Sequence, residues 1–261
     1  MADALIGYSG FVGSTLLKQR GFEARYRSTD IGEIEGRTFD TIVCAGAPAQ
    51  KWLANRDPAG DRAKIDELIG HLSQVSCRTF ILISTIDVFG NPLDVDENTE
   101  VDETGLHAYG LNRRRLERFV EQQFPDHLIV RLPGLVGPGL RKNVIFDFLN
   151  NNNLDAIDSR GVFQFYPMVN LWPDILLARK AGVKLLHLTA EPVSVADIAA
   201  EGFNFTFEHP TANPAARYDM RSVHAGLTGA TGAYQYSRRD TLMAVRAYAQ
   251  SEARTIKDGA Q

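Results

Sequence analysis

The clearest chemical signal in the sequence is the run Gly7-Tyr8-Ser9-Gly10-Phe11-Val12-Gly13. Ala4-Leu5-Ile6 ahead of it reads as a strand, and Leu16, Leu17, Lys18 and Gln19 behind it suit a helix. A strand that turns through glycines into a helix is the context a bound phosphate requires. The first glycine permits the tight turn, the second lets the backbone approach a pyrophosphate, and the third lets helix and strand pack closely. The helix start then offers unpaired N–H groups and partial positive charge to an anion. Glycines also punctuate ordinary turns, but this run heads the first strand–helix unit of the chain. The expected ligand is a dinucleotide, held by Gly7, Tyr8, Ser9, Gly10, Phe11, Val12 and Gly13. Its kind is read where the second strand ends, at Tyr26-Arg27-Ser28-Thr29. A ribose 2′-phosphate wants an arginine there and a 2′-hydroxyl wants an acid. Arg27 and Ser28 favour NADP. NAD stays open through Asp30, which also fits a helix cap, with Glu33 completing a capping box.

The elements that position these groups alternate along the chain. Strands are expected over residues 4–6, 22–26, 40–45, 79–84, 127–131 and 183–188. Helical spacing occupies residues 16–19, 64–72 (Ile65, Leu68, Ile69, Leu72) and 115–124 (Leu116, Phe119, Val120), with Gly21 ending the first and Pro125 the last. The centre of the run at 79–84 is continuously apolar, as in a parallel strand covered on both faces. Such alternation builds an α/β, doubly wound parallel sheet of the Rossmann type. Asn150 to Asn153 reads as a helix end and turn leading into a small C-terminal substrate lobe. The expected division is a dinucleotide-binding domain over 1–140 plus 182–190, a lobe over 141–181 plus 191–250, and a tail over 251–261.

Composition excludes several alternatives. The chain has 261 residues, 44% hydrophobic and 23% charged, ordinary for a globular protein of one large domain or a domain plus lobe. A net charge of −4 gives no basic footprint for nucleic acid. No apolar run approaches the roughly 20 residues that span a bilayer. The start of the chain runs straight into a strand with no leader-like segment, so a cytoplasmic location is expected. The two cysteines, Cys44 and Cys77, have no ligand set around them and are expected to be reduced thiols. No metal site is expected. The acidic loop 91–107, with Asp94, Asp96, Glu97, Glu100, Asp102 and Glu103, lacks the spacing of an EF-hand and reads as solvated.

Further runs carry a family resemblance. Ser84-Thr85-Ile86-Asp87-Val88-Phe89-Gly90 follows the fourth strand, and Tyr109-Gly110-Leu111-Asn112-Arg113 opens a helix. Arg131-Leu132-Pro133-Gly134, Val136-Gly137-Pro138-Gly139 and Glu191-Pro192-Val193-Ser194-Val195 come later. In this order and spacing, with the glycine turn, the chain resembles the extended short-chain dehydrogenases/reductases, the nucleotide-sugar epimerase/dehydratase/reductase superfamily. The resemblance implies that Thr85 bonds the substrate oxygen undergoing redox change and that Tyr109 moves the proton. It implies cofactor contacts from Ala45, Gly46, Ala47, Ser84, Tyr109, Arg113, Pro133 and Gly134. The family supplies a lysine four residues after the tyrosine, and here that position is Arg113, an atypical choice. A free tyrosine titrates near 10, so a nearby cation matters. Arginine keeps the charge but is forked and bulkier, so the exchange is not conservative.

The family's dehydratases carry Asp-Glu after the catalytic threonine. Here those positions are Ile86 and Asp87, and Ile86 cannot donate a proton, so dehydration is disfavoured. The short second strand running into Asp40-Thr41-Ile42-Val43 resembles the dTDP-4-dehydrorhamnose reductase and GDP-fucose synthase branches. The expected activity is an NAD(P)-dependent reductase or epimerase acting on a nucleotide-linked sugar. The alternative is a dinucleotide sensor or scaffold that lost turnover, which Arg113 motivates. Substrate contacts are expected from Asp87, Asn143, Phe165, Arg217 and Arg221. The two arginines suit phosphates, and Phe165 lies in Phe163-Gln164-Phe165-Tyr166, which also reads as a core strand. Family analogy adds a homodimer built on helices 64–75 and 113–124.

Overall fold

The structure is a computed structural model and describes residues 1–255. The end of the expected tail, 256–261, lies outside the described residues. The chain divides into two compact units. The first comprises Met1–Asn91, Glu97–Leu132 and Trp172–His187. The second takes Pro92–Asp96, Pro133–Leu171 and the chain from Leu188 on. This differs from the expected division. The helix Leu171–Lys180 belongs to the first unit from Trp172 on, and the second unit takes Pro92–Asp96 and resumes at Pro133.

In the first unit six strands form one parallel sheet: β1 (Ala4–Ile6), β2 (Ala24–Tyr26), β3 (Thr38–Cys44), β4 (Ser76–Thr85), β5 (His127–Leu132) and β6 (Leu185–His187). Their spatial order is β6-β5-β4-β3-β1-β2. Five helices belong with them: α1 (Phe11–Gln19), α2 (Lys51–Arg56), α3 (Pro58–Leu72), α4 (Ala108–Gln123) and α5 (Leu171–Lys180). Side chains alternate across the strands. Ile6, Ile42, Phe80, Leu82 and Ile129 form one apolar cluster with Ile65, Leu68 and Leu72 of α3 and Leu116 and Val120 of α4. Leu5, Val43, Ile81 and Val130 of the opposite pleat are equally buried, as are Leu16 of α1 and Ile175 of α5. Each such aliphatic side chain contributes about 1.5–3 kcal/mol on burial. Strand order reverses at β1, whose neighbours are β2 and β3. A doubly wound sheet binds ligands outside the carboxyl ends of the strands at such a reversal.

Two local expectations differ. α1 ends because Arg20 turns extended, at φ −156°, and not through a left-handed Gly21. The acidic loop is not wholly solvated: Leu93–Val95 forms a short strand paired in parallel with Asp219–Met220, inside the second unit.

The second unit has further short pairs, Gly134–Val136 with Phe165–Pro167 and Val162–Phe163 with Val193–Ser194. The helices Val144–Asn150 and Arg238–Ser251 accompany them. The first ends on Asn151 in the left-handed region, φ +50°, as the asparagine run predicts. Among the described residues no helix is long and apolar enough to cross a membrane.

Candidate active site

The glycine turn leaves β1 at the strand-order reversal and enters α1. Gly7 adopts φ +83°, and a side-chain carbon there would collide with the Ala45 carbonyl at the end of β3. One on Gly13 would collide with the Gly7 carbonyl. Both glycines are thus explained by the fold itself. Gly10 is not. It is the N-cap of α1 with extended backbone, φ −76° and ψ 170°, which any residue adopts. An added carbon would meet only the Gly7 carbonyl oxygen, at an ordinary 3.5 Å. The room above Gly10 is therefore open, as a backbone that must meet a pyrophosphate requires. No side chain caps the first turn of α1 and no acid lies in it, so its N–H groups suit an anion. Ala45 donates its N–H to Ile6 O at 2.9 Å, which brings Ala45-Gly46-Ala47 beside the turn.

At the end of β2 the expected capping box does not form. The Asp30 carboxylate accepts the Arg27 backbone N–H at 2.6 Å and lies 3.7 Å from its guanidinium Nε. Asp30 caps a 3-10 turn by position only, without a side-chain bond. Arg27 and Ser28 are exposed. The 2′-phosphate group and the 2′-hydroxyl group thus each have a candidate partner here, side by side.

β4 ends at Thr85, whose Oγ1 accepts the Asp87 N–H at 3.1 Å. Lys51 Nζ of α2 donates to Asp87 Oδ1 at 2.7 Å. α4 starts over this turn. His107 is its N-cap, with Nδ1 accepting the Gly110 N–H at 3.0 Å. Gly110 lies so close to the Asp87 carbonyl that a side-chain carbon would collide with it. Tyr109 follows the cap, buried, and its N–H donates to Asn55 Oδ1 of α2 at 3.0 Å. Thr85, Asp87 and Tyr109 are thereby gathered at one end of the sheet.

Arg113 lies one turn on. Its guanidinium carbon is 3.9 Å from the centre of the Tyr109 ring. Nη1 donates to Asp61 Oδ2 of α3 at 2.5 Å and Nη2 donates to the Pro48 carbonyl. Asn112 Nδ2 reaches the same Asp61 oxygen at 2.7 Å. Arg113 and Asp61 are only 3% and 6% exposed, so this is a buried, neutralised pair, while Arg113 Nε is buried with no partner. Burial pushes the Tyr109 hydroxyl above its ordinary value, and Asp87 and Asp61 add to this. Arg113 and Lys51 act the other way without reversing it. Burial, with Lys51, lowers His107, which is consistent with a neutral ring whose Nδ1 accepts.

Ser84 does not present its hydroxyl as expected. Its side chain is buried and donates to Glu117 Oε1 of α4 at 2.6 Å. Glu117 is fully buried, and Arg131 of β5 donates to its two oxygens at 3.0 and 2.8 Å. Burial alone would raise the Glu117 carboxyl, but the Arg131 bonds outweigh it and hold it low.

The remaining expected residues lie in the second unit. Pro133 opens its stretch Pro133–Leu171, and Gly134 is close-packed, since a side-chain carbon would sit 2.6 Å from Gln164 O. Asn143 spends its side chain on structure, capping its helix at the Ile145 and Phe146 N–H groups and donating to Leu135 O. Phe165 is buried core, so its ring is engaged in packing. Between the strands, Gln164 bonds Ala190 O, Met220 O and Met220 N. Arg221 is shared between Asp219, at 2.8 Å, and Asp94. Arg217 is exposed. Among the described residues no group of three or more His, Cys, Asp or Glu is placed to hold a metal.

Sequence reasoning missed Lys51, Asn55, Asp61, His107, Asn112 and Glu117. Only Asp61 left a trace, in the Asp57-Pro58 helix start ahead of it: Asp57 caps α3 through Gly60 N at 3.0 Å. The partners that α4 takes from elsewhere lie 51–65 residues away, Asp61 for Asn112, Asn55 for Tyr109 and Pro48 for Arg113.

No family model and no curated protein matches the chain. Solved structures do match it in fold. One is a dTDP-4-dehydrorhamnose reductase from Clostridium acetobutylicum, 18% identical, with TM-score 0.69 over 96% of this chain and 99% of that one. RMD from Pseudomonas aeruginosa, solved with NADPH, is 17% identical, with TM-score 0.71 over 97% and 100%. A UDP-glucose 4-epimerase from Thermus thermophilus, solved with NAD, is 13% identical, with TM-score 0.68 over 97% and 100%. Along nearly its whole length the chain thus shares its fold with these nucleotide-sugar reductase and epimerase structures.

Proposed function

We propose that the protein is an NAD(P)-dependent reductase that acts on the keto group of a nucleotide-linked sugar, with NADP(H) as the preferred cofactor. The observation that carries this reading is Tyr109, a buried phenol near Asp87 whose proton is held more tightly than in a free tyrosine. A tyrosine neutral at pH 7 is the correct form to give a proton to a developing alkoxide. It is the wrong form to take one from an alcohol, as an epimerase must do first. The open face over Gly10, the N–H groups of Phe11, Val12 and Gly13, and the unpaired Nε of Arg113 fit a dinucleotide. A bound reduced nicotinamide would supply the hydride. Thr85 Oγ1 accepts the Asp87 N–H and directs its own hydrogen to Asp87 Oδ2 at 3.5 Å, a long bond that it would exchange for one to the substrate oxygen. Tyr109 then gives its proton to that oxygen. Tyr109→Phe should abolish turnover and spare cofactor affinity; an active Phe variant would remove the assignment.

One observation favours a second reading, a dinucleotide-binding sensor without turnover. Arg113 is locked to Asp61 and Pro48 and cannot act as a mobile cation. Tight NADPH binding with no turnover of any 4-keto nucleotide sugar would support it.

A further inference from the structure

A proton donor must be recharged after each cycle, and this site's buried neighbours cannot do it. The charged and titratable groups around Tyr109 are Arg113, Asp61, Asp87, Lys51 and His107. Arg113 does not release a proton at any physiological pH. Asp61 is buried and bonded to two donors. His107 spends Nδ1 on capping α4. Lys51 differs. Its side chain is 38% exposed, so water reaches it, and its ammonium is aimed by Asp87. The same helix that carries it holds the tyrosine. Lys51 and Asn55 lie four residues apart on α2 and so share a face. Asn55 bonds the Tyr109 N–H, while Lys51 bonds Asp87, whose own N–H is bound to Thr85 and whose carbonyl abuts Gly110.

We propose that Lys51 recharges Tyr109, with Asp87 aiming it, so that α2 takes over a task the immobilised Arg113 cannot perform. The proposal rests on Tyr109 being the proton donor. In each cycle the Tyr109 O–H bond breaks as the substrate oxygen takes the proton. The phenolate then takes a proton from the Lys51 ammonium, directly or through one water, and the neutral amine takes one from bulk water. The net consumption is one hydride from the reduced nicotinamide and one solvent proton per ketone reduced.

Two variants separate charge from proton transfer. Lys51→Arg keeps the charge and the bond to Asp87 but cannot release a proton; Lys51→Met removes both. The expected result is a kcat at least tenfold lower in both, an unchanged KM for NADPH, and partial recovery in Lys51→Met with added methylamine. Wild-type kcat in Lys51→Arg would overturn the proposal. A second readout needs no turnover: the ultraviolet titration of the Tyr109 phenolate, taken as the difference between each protein and its Tyr109→Phe counterpart. Lys51→Met should move that titration upward by about one pH unit, a tenfold change in proton affinity, and Lys51→Arg should restore it. A titration unmoved in Lys51→Met would overturn the proposal. If the wild type reduces no substrate, it is the reductase reading that fails, and the titration alone then decides whether Lys51 serves Tyr109.

Discussion

At the scale of single residues, the site depends on how tightly Tyr109 keeps its proton. Its hydroxyl is held above the ordinary value near 10, because burial opposes the phenolate more than Arg113 and Lys51 favour it. The neutral donor therefore persists through neutral and mildly alkaline pH. Reduction rates should stay flat there and fall only as pH passes the raised tyrosine value, whereas alcohol oxidation should rise with pH over the same range. A pH–rate profile in both directions checks this, and a reduction rate that falls between pH 7 and 9 would contradict it. Arg27 makes a separate prediction. Its guanidinium is 52% exposed and only loosely paired with Asp30. A charged bond from it to a 2′-phosphate is worth about 1.5–3 kcal/mol. Arg27→Ala should therefore weaken NADPH about 10–100-fold in a calorimetric titration and leave NADH nearly unchanged. Equal losses for both would mean that Arg27 does not read the phosphate. The sequence showed Arg27, Tyr109 and Arg113 plainly. It did not show that Asp30 would bond Arg27 and not cap a helix, since both outcomes fit the same spacing.

At the scale of elements, the glycine turn separates two roles that look identical as letters. Gly13 is demanded by the packing of α1 on the turn, whereas Gly10 has no such demand from the protein. Gly13→Ala should cost about 3 kcal/mol of stability through overpacking, read by denaturant melts. Gly10→Ala should melt like the wild type and bind NADPH at least tenfold more weakly. Unimpaired binding in Gly10→Ala would show that no ligand approaches there. α4 is tied to the sheet by Glu117, which joins Ser84 of β4 to Arg131 of β5. Removing one partner of a buried pair leaves the other charge uncompensated, at about 3–5 kcal/mol. Glu117→Leu should lose that much in the same melts, and a loss below 1 kcal/mol would mean that Arg131 finds another partner. The elements themselves were legible because strand and helix periods differ. All six strands of the sheet lie where apolar runs predict, within a few residues. Glu117 and Ser84 were not legible as a pair, because they are 33 residues apart and only the parallel packing of β4 against β5 and α4 brings them together.

At the scale of the whole molecule, six parallel strands with the order reversed at β1 gather the glycine turn, Ala45-Gly46-Ala47, Thr85 and Tyr109 at their carboxyl ends. That convergence follows from topology, which the alternation of elements predicts. The second unit was less legible. Its strands are two or three residues long, too short for a period to emerge, and its polar side chains serve structure. Asn143 caps a helix and Arg221 joins two carboxylates, while Arg217 is exposed. The central claim is that this fold reduces a keto sugar through Tyr109. The direct measurement follows the absorbance of NADPH when wild-type protein and Tyr109→Phe are each mixed with a panel of 4-keto nucleotide sugars. The account predicts NADPH consumption with at least one sugar by the wild type, and none by Tyr109→Phe, with both proteins binding NADPH alike. Equal consumption by the two proteins, or none by the wild type despite tight NADPH binding, would contradict it.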